Sequence, residues 1–402
     1  MTDVTIREVH GEEIISTAWA VADYAFGETP SKPDDIEEQR RRLHTRGNAR
    51  TLVAFANDEP VACASCYPMV QNVRGALLPM GGIASVASLP VARRLGYVRR
   101  VFVDLYAVMH EIGMPLTALY PFRASFYERF GYSGFPAPRF ATLDPADLAQ
   151  LTRTAKPGRV ELLSMADGFD AWRAFLTEHQ ADTHGFSLRE EISASRRKER
   201  NDAWVLLAHD ESDRVVGAMT YKITGYTKEL RADTFYYRTS LGRYLLLDWI
   251  GRHIDQVKKA ILVLHPDEHP ELWLRDLNAQ SSTQDKEAWP APMGRVLSVR
   301  ALTGLTAGDG TAACSFTATI TDEHCPWNNA VYTFTGEGGH LTVTEGGTPS
   351  STLTIQGLSA LIYTGTDPAD FPLRAWGDPD EATRAAMRAM FPPATPRMHE
   401  QF

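Results

Sequence analysis

The chain has 402 residues, 44% of them hydrophobic and 23% charged, more than one ordinary core organises, so two or three domains are expected. Its formal net charge of −9 works against a general nucleic-acid binder, because phosphate contacts need clustered basic residues, and would suit a cationic substrate. The opening MTDVTIREVHGEE lacks a signal peptide's order, no apolar run approaches the ~20 residues of a membrane span, and the few cysteines make no disulfide framework, so a cytoplasmic protein without membrane contact is expected.

A strand-like VTIREV leads into a helical stretch around IISTAWAVADYAF, then the charged DDIEEQRRRL. Three strand-like runs follow (TLVAFAND, PVACASCYPMVQNVRG and ALLPMGGIASVASL), with Asn57-Asp58 and Arg74-Gly75 supplying the turns. Cys63 and Cys66 form one CxxC, but on a strand this spacing sends the two thiols to opposite faces, and no second pair follows. His265 and His269 of HPDEH sit in a Pro-containing loop, so no metal site is expected.

From Val98 the period changes. Val98, Val101, Phe102, Leu105, Val108, Met109 and Ile112 form one apolar helical stripe, with Gly113 at C′ and Pro115 beyond. PLTALYP then reads as a buried strand, and Ser125-x-x-Glu128 fits a capping box opening the short helix SFYERF, closed by Gly131. The middle third repeats this plan. WVLLAHD and VVGAMTYKI flank a turn at Glu211 to Arg214, a helix from Gly242 to Lys259 carries Leu246, Ile250, Ile254 and Val257, and AILVLHP follows as a strand.

QSSTQDKEAWPAPMG reads as a linker. Beyond it lie short strand candidates (RVLSVRAL, AACSFTATI, AVYTFTG, HLTVTEGG and STLTIQG) and one helix with Asp378 as cap, Pro379 first and Glu381 completing a box. Its apolar face is Thr383, Met387, Met390 and Phe391, and the chain ends in an extended, proline-stiffened FPPATPRMHEQF.

Chemistry concentrates at LPVARRLGYVRR, between a strand and the amphipathic helix. N–H groups at a helix start lack partners and carry positive partial charge, so a loop with R-x-x-G there can wrap a pyrophosphate. Val98 stands where a small residue is usual in that pattern. The second unit has no such loop, since Arg238 lies four residues before Gly242.

The order ASVASLPVARRLGYVRRVF, then LTALYPFRASFYERFGY, resembles the GCN5-related N-acetyltransferases (GNAT), and the whole chain resembles their Eis (enhanced intracellular survival) branch. The resemblance implies a mixed α/β and α+β fold: an active GNAT domain over 1–150, a degenerate one over 151–290, and a sterol-carrier-protein-like domain with a catalytic tail over 291–402. It implies acetyl-CoA as co-substrate and no metal. Pantetheine would bond near Val86 and Ser88. Arg93, Arg94, Gly96, Tyr97, Val98 and Arg99 would hold the phosphates. Tyr127 would protonate the departing thiolate, a phenol near pKa 10 facing a thiol near 8.5. The α-carboxylate of Phe402 would take the amine proton, and Asp23, Tyr24, Phe26, Glu28 and Glu400 would bind the acceptor. The ending Glu400-Gln401-Phe402 displaces the family's penultimate acid by one position. The acceptor expected is a polycationic amine, an aminoglycoside acetylated at more than one position. A protein lysine or N-terminus, or a lipid held by the third domain of a non-enzyme, remain alternatives. A hexamer of two stacked trimers is implied by the resemblance alone.

Overall fold

The computed structural model describes residues 4–30, 32–284, 290–308, 310 and 313–402. Contacts divide the chain into two compact units, one of residues 1–135, 184–193 and 290–402, the other of 136–183 and 194–289. Residues 136–150 therefore group with the second unit, and the short segment 184–193 with the first.

The first unit begins with β1 (Val4–Glu8), a π turn (Ile15–Trp19), α1 (Ala20–Phe26) and α2 (Pro33–Leu43). Then come β2 (Arg50–Ala56), β3 (Glu59–Val73), β4 (Ala76–Ser88), α3 (Tyr97–Glu111), β5 (Leu116–Leu119), α4 (Ala124–Glu128) and β6 (Ser133–Gly134). The hairpin turns fall where expected: Asn57, Asp58, Arg74 and Gly75 all have positive φ, the geometry that matches strand twist across a two-residue loop. β1 to β4 pair antiparallel, whereas β4 and β5 pair parallel through the α3 crossover.

α3 buries Val101, Phe102, Leu105, Tyr106 and Met109 against Cys66, Ile83 and Leu119, each full burial contributing roughly 1.5–3 kcal/mol. Tyr106 joins this face in place of Ile112, which is 45% exposed at the helix end. On the opposite face the π turn and α1 pack on Val53, Phe55, Cys63 and Ala87. The CxxC thiols thus enter separate cores. Burial pushes both up to about 12.

The strand Met293–Val296 lies between β5 and β6, so part of the expected linker completes the first sheet. Residues 285–289 of that linker lie outside the described residues. The Ser125 capping box is not made: Arg123 is the N-cap of α4 and no side chain bonds to it.

The second unit has a seven-stranded sheet with the same plan. Strands Trp204–His209, Val215–Ile223 and Glu229–Tyr237 pair antiparallel, and Lys259–Leu264 returns parallel after the helix Ser240–Gly251. That helix stops well short of Lys259, and Ile254 beyond it is 47% exposed.

The C-terminal part of the first unit has a four-stranded sheet (His340–Glu345, Ala330–Glu337, Cys314–Thr321, Ser351–Thr354). Two helices accompany it, Ile355–Thr364 and Glu381–Met390. The strand expected at STLTIQG ends at Thr354, and the last three residues of that stretch open the first helix; nearly all of this helix is buried, so no polar face betrays a helical period. The second starts at Asp380, whose carboxylate accepts from Thr383 N at 2.8 Å, two residues past the expected Asp378 cap. Thr383, Met387, Met390 and Phe391 all turn inward as expected. No helix among the described residues is long and apolar enough to cross a membrane.

Candidate active site

β4 and β5 pair only from Met80–Ile83 to Leu116–Leu119. Beyond that β5 stops while β4 runs on to Ser88. Ser85 takes φ +54 at a bulge where the β3–β4 register shifts. A non-glycine residue in this region is uncommon, and a bulge bends its strand away from a neighbour. Val86 and Ser88 therefore lie on a stretch of β4 whose β5-facing edge has no strand partner, an edge able to bond an extended ligand as a further strand would.

The next loop delivers the chain to α3. Gly96 is the N-cap with φ +83, no side chain caps the helix, and a Cβ at Gly96 would meet nothing within 4 Å. The first N–H groups of α3, at Tyr97, Val98 and Arg99, therefore take no side-chain cap, and the space beside Gly96 is open. Arg93 and Arg94 are exposed and pair with no acid among the described residues, while Arg99 reaches Glu323 at 3.7 Å. Val98 is half-buried against the α3 core. Its bulk is used inward, leaving its backbone N–H at the helix start. The equivalent helix of the second unit is closed: the Thr239 hydroxyl accepts from Gly242 N at 3.1 Å. Arg238 is engaged by Glu178 and Asp182. One N-terminus is left uncapped, while the other has one of its donors capped and its arginine engaged internally.

Tyr127 stands on α4 among Phe102, Phe122, Phe126 and Tyr132. Burial first, and then Tyr132, push its phenol well above the usual value. Its hydroxyl has no hydrogen-bond partner among the described residues.

The tail arrives from the other end of the chain. Segment 184–189 forms a strap: Ser187–Arg189 pairs with β3 at Gln71–Met69, along the edge where β2 has ended. The tail runs beside this strap. Arg397 N donates to His184 O at 2.9 Å, His399 stacks on Phe186 at 4.9 Å, and Ser187 Oγ lies 2.8 Å from Met398 Sδ. Arg189 N and Nε meet the Glu400 carboxylate at 3.3 and 3.4 Å, and its Nη2 donates to Gln401 O. Tyr120 donates to Glu400 O at 3.0 Å, and its ring meets the Phe402 ring edge-on at 5.5 Å. The Phe402 ring rests on Gly82 of β4, beside the point where β4 and β5 part. The Phe402 carboxylate makes no ion pair with a described residue.

The expected acceptor residues are less gathered. Asp23, Tyr24 and Phe26 lie on α1 and Glu28 just after it. Asp23 accepts from Gln39, Tyr24 and Phe26 are half or more exposed, and Glu28 pairs with Lys32 at 3.6 Å. The inner face of α1 packs near Ala87, beside Val86 and Ser88. Glu400 is turned to Arg189 rather than left free. Arg189, Tyr120 and Gly82 were not singled out from the sequence, because nothing local to them announces a partner at the chain end. No group of metal-ligating side chains occurs among the described residues.

This geometry meets its relatives in two stretches. Residues 5–135 match the acetyltransferase (GNAT) domain and residues 296–399 the sterol carrier protein domain. The chain therefore carries a GNAT acetyltransferase domain and, toward its end, a sterol carrier protein domain. Its fold is shared, end to end, with a probable N-acyltransferase from Enterococcus faecalis (TM-score 0.85, 19% identity, 100% of both chains). It is shared likewise with a GCN5-related N-acetyltransferase from Kribbella flavida (TM-score 0.81, 21% identity, 100% of this chain and 99% of that one). Eis1 from Mycobacterium abscessus shares the fold as well (TM-score 0.75, 18% identity, 100% of both chains). No curated protein matches the sequence.

Proposed function

We propose that the chain moves the acetyl group of acetyl-CoA to a primary amine of a polycationic small molecule by direct attack on the thioester. One observation carries this reading: the strandless edge of β4 leads to the uncapped, arginine-flanked N-terminus of α3, and the last residue of the chain sits beside that edge. Val86 and Ser88 would bond pantetheine. The N–H groups of Tyr97, Val98 and Arg99, with Arg93, Arg94 and the Gly96 turn, would hold the phosphates.

The amine gives its proton to the Phe402 carboxylate and attacks the carbonyl. The C–N bond forms, the C–S bond breaks, and the sulfur leaves as a thiolate. Tyr127 donates to that sulfur. Because its phenol is raised by burial, Tyr127 stays protonated throughout the working range. It acts chiefly as a hydrogen-bond donor, and the proton from the amine finally balances the free thiol.

The resemblance to the Eis branch and the −9 net charge favour aminoglycosides as acceptors, at more than one amine. We carry over the three-domain division and the hexamer on the same resemblance, and the cytoplasmic location on the sparse, unpaired cysteines. A lipid-carrier role has less behind it, because residues of helix Ile355–Thr364 join Met80, Leu116 and Phe135 in one buried apolar cluster.

The test is thiol release from acetyl-CoA with aminoglycosides, polyamines and a lysine-containing peptide. Release with the polycations and slow release with the peptide is expected; release with the peptide alone moves the acceptor to protein, and none with any amine ends the reading. Tyr127→Phe should lower kcat about 100-fold while acetyl-CoA still binds.

A further inference from the structure

We infer that Arg189 is the positioning residue of the catalytic tail, resting on the reading above in which the Phe402 carboxylate is the base. Chain ends fray unless tied, and a base is useful only within a narrow range of distances from the proton it removes. Arg189 supplies the tie to every one of the last three residues. Its backbone N donates to the Glu400 carboxylate, its Nε forms an ion pair with that carboxylate at 3.4 Å, Nη2 donates to the Gln401 carbonyl, and its guanidinium lies 6.0 Å from the Phe402 ring centre. The other face of the site fixes Arg189 itself: it lies 5.2 Å from the ring of Tyr67, and its strand pairing to Met69 sets its backbone.

The pair is largely out of water, with side chains 17% and 12% exposed, so the contact is not one that solvent competes away. The fork geometry matters as well as the charge. A lysine could meet Glu400 but could not also bond Gln401 and stand near two rings with a planar cation. Gly82 completes the arrangement from below: its missing side chain is the space the Phe402 ring occupies. The strap and the tail are thus one device, built from a segment far from the tail in sequence, that sets where the last carboxylate stands.

Two readouts test this on the full-length enzyme. The first is release of Phe402 by carboxypeptidase A, followed by intact mass, which needs no acceptor. Arg189→Ala should release Phe402 at least about tenfold faster than wild type, and Arg189→Lys should fall between. The second is thiol release with neomycin. Arg189→Ala should lower kcat about 10- to 100-fold with the acetyl-CoA KM unchanged, and Lys should restore part of it. Because Arg189 acts through the tail, adding the substitution to a chain lacking Phe402 should cost nothing further. Should Arg189→Ala fail to fold by circular dichroism, Glu400→Gln breaks the same pair from the tail side and carries the same expectations.

Unchanged protease release, or a full kcat in Arg189→Ala while the chain lacking Phe402 is inactive, overturns the positioning role alone. Full activity without Phe402 overturns the base and the positioning role together. An additive loss in the double variant assigns Arg189 to general structure and also overturns the proposal.

Discussion

Gly82→Ala probes the seat of the terminal ring with one methyl group. Gly82 faces Tyr67 of β3 and Ala118 of β5 in register. A Cβ there would stand 2.6 Å from Met69 Cε and 3.0 and 3.1 Å from two ring carbons of Phe402. The methionine methyl ends a flexible chain and can swing away. The Phe402 ring is held against Tyr120 and Arg189 and must lift by several tenths of an ångström. Forcing it to stay would cost roughly 1–3 kcal/mol of overpacking. Releasing it loses the burial of a half-covered ring, about 1 kcal/mol on the same scale as full burial of a phenylalanine. The cheaper course wins, so global stability should drop by only about 1 kcal/mol, and the ratio of seated to unseated tails by about fivefold. Thiol-release kinetics should then show kcat reduced by up to about fivefold at an unchanged acetyl-CoA KM. Carboxypeptidase release of Phe402 should quicken in step. Wild-type kcat together with wild-type protection of Phe402 would show that the ring does not depend on this space.

Gly96→Asp places a carboxylate before the open start of α3. It should raise the acetyl-CoA KM at least about tenfold, whereas Gly96→Asn, which also tolerates positive φ, should raise it less; equal effects would point to backbone strain instead. Asp322→Ala leaves Arg295, fully buried and bonded to Asp322 at 2.6 and 2.7 Å, without its carboxylate. A loss of about 3–5 kcal/mol in urea denaturation is expected, and one below about 1 kcal/mol would refute it. Burial raises the thiols of Cys63, Cys66 and Cys325 to about 12 and leaves Cys314 half-exposed, so native protein should react with a disulfide reagent at one thiol at most. All four should react in guanidinium, and rapid native reaction of more than one would contradict the packing. Bonding to Arg50 holds the Glu8 carboxyl below its ordinary value, so its stabilisation is present above the unfolded value and vanishes as pH falls through the folded one. Glu8→Gln should therefore cost about 1 kcal/mol at neutral pH and progressively less as the pH falls below the carboxyl's ordinary 4.5, and an unchanging cost across that range would exclude the linkage.

What could be read in advance was whatever is decided locally. Positive φ at Asn57-Asp58 and Arg74-Gly75 is a property of two adjacent residues, so both hairpins were visible. The stripe on α3 was visible because one face meets the core and the other meets water. Helix Ile355–Thr364 was hidden for the opposite reason, being covered nearly all round. The cap of the last helix was misplaced because DPDE offers two aspartates, and only the position of Thr383 N chooses Asp380. The same divide runs through the site. The glycine turn and its arginines precede their helix directly, whereas Arg189 meets Glu400 across 211 residues and carries no pattern of its own.

That long-range tie bears on why a sterol-carrier domain is attached at all. The first sheet is not finished by its own third of the chain, because Met293–Val296 fills the place between β5 and β6. The β3–β4 turn is anchored forward in the same way. Arg74, whose guanidinium burial pulls down to about 10, donates to the carbonyls of Leu361, Ile362 and Pro392, and its own carbonyl accepts from Thr306. One continuous core joins Met69, Val73 and Met80 of the first sheet to Leu358, Ile362 and Phe391 of the last domain. The apolar interior of that domain is thus used for packing, and its rigid attachment delivers the strap-bound tail to β4. On the proposal that Phe402 carries the base, such a platform is what the reaction needs, since a few ångströms of slack at a free chain end would remove that group from the reaction.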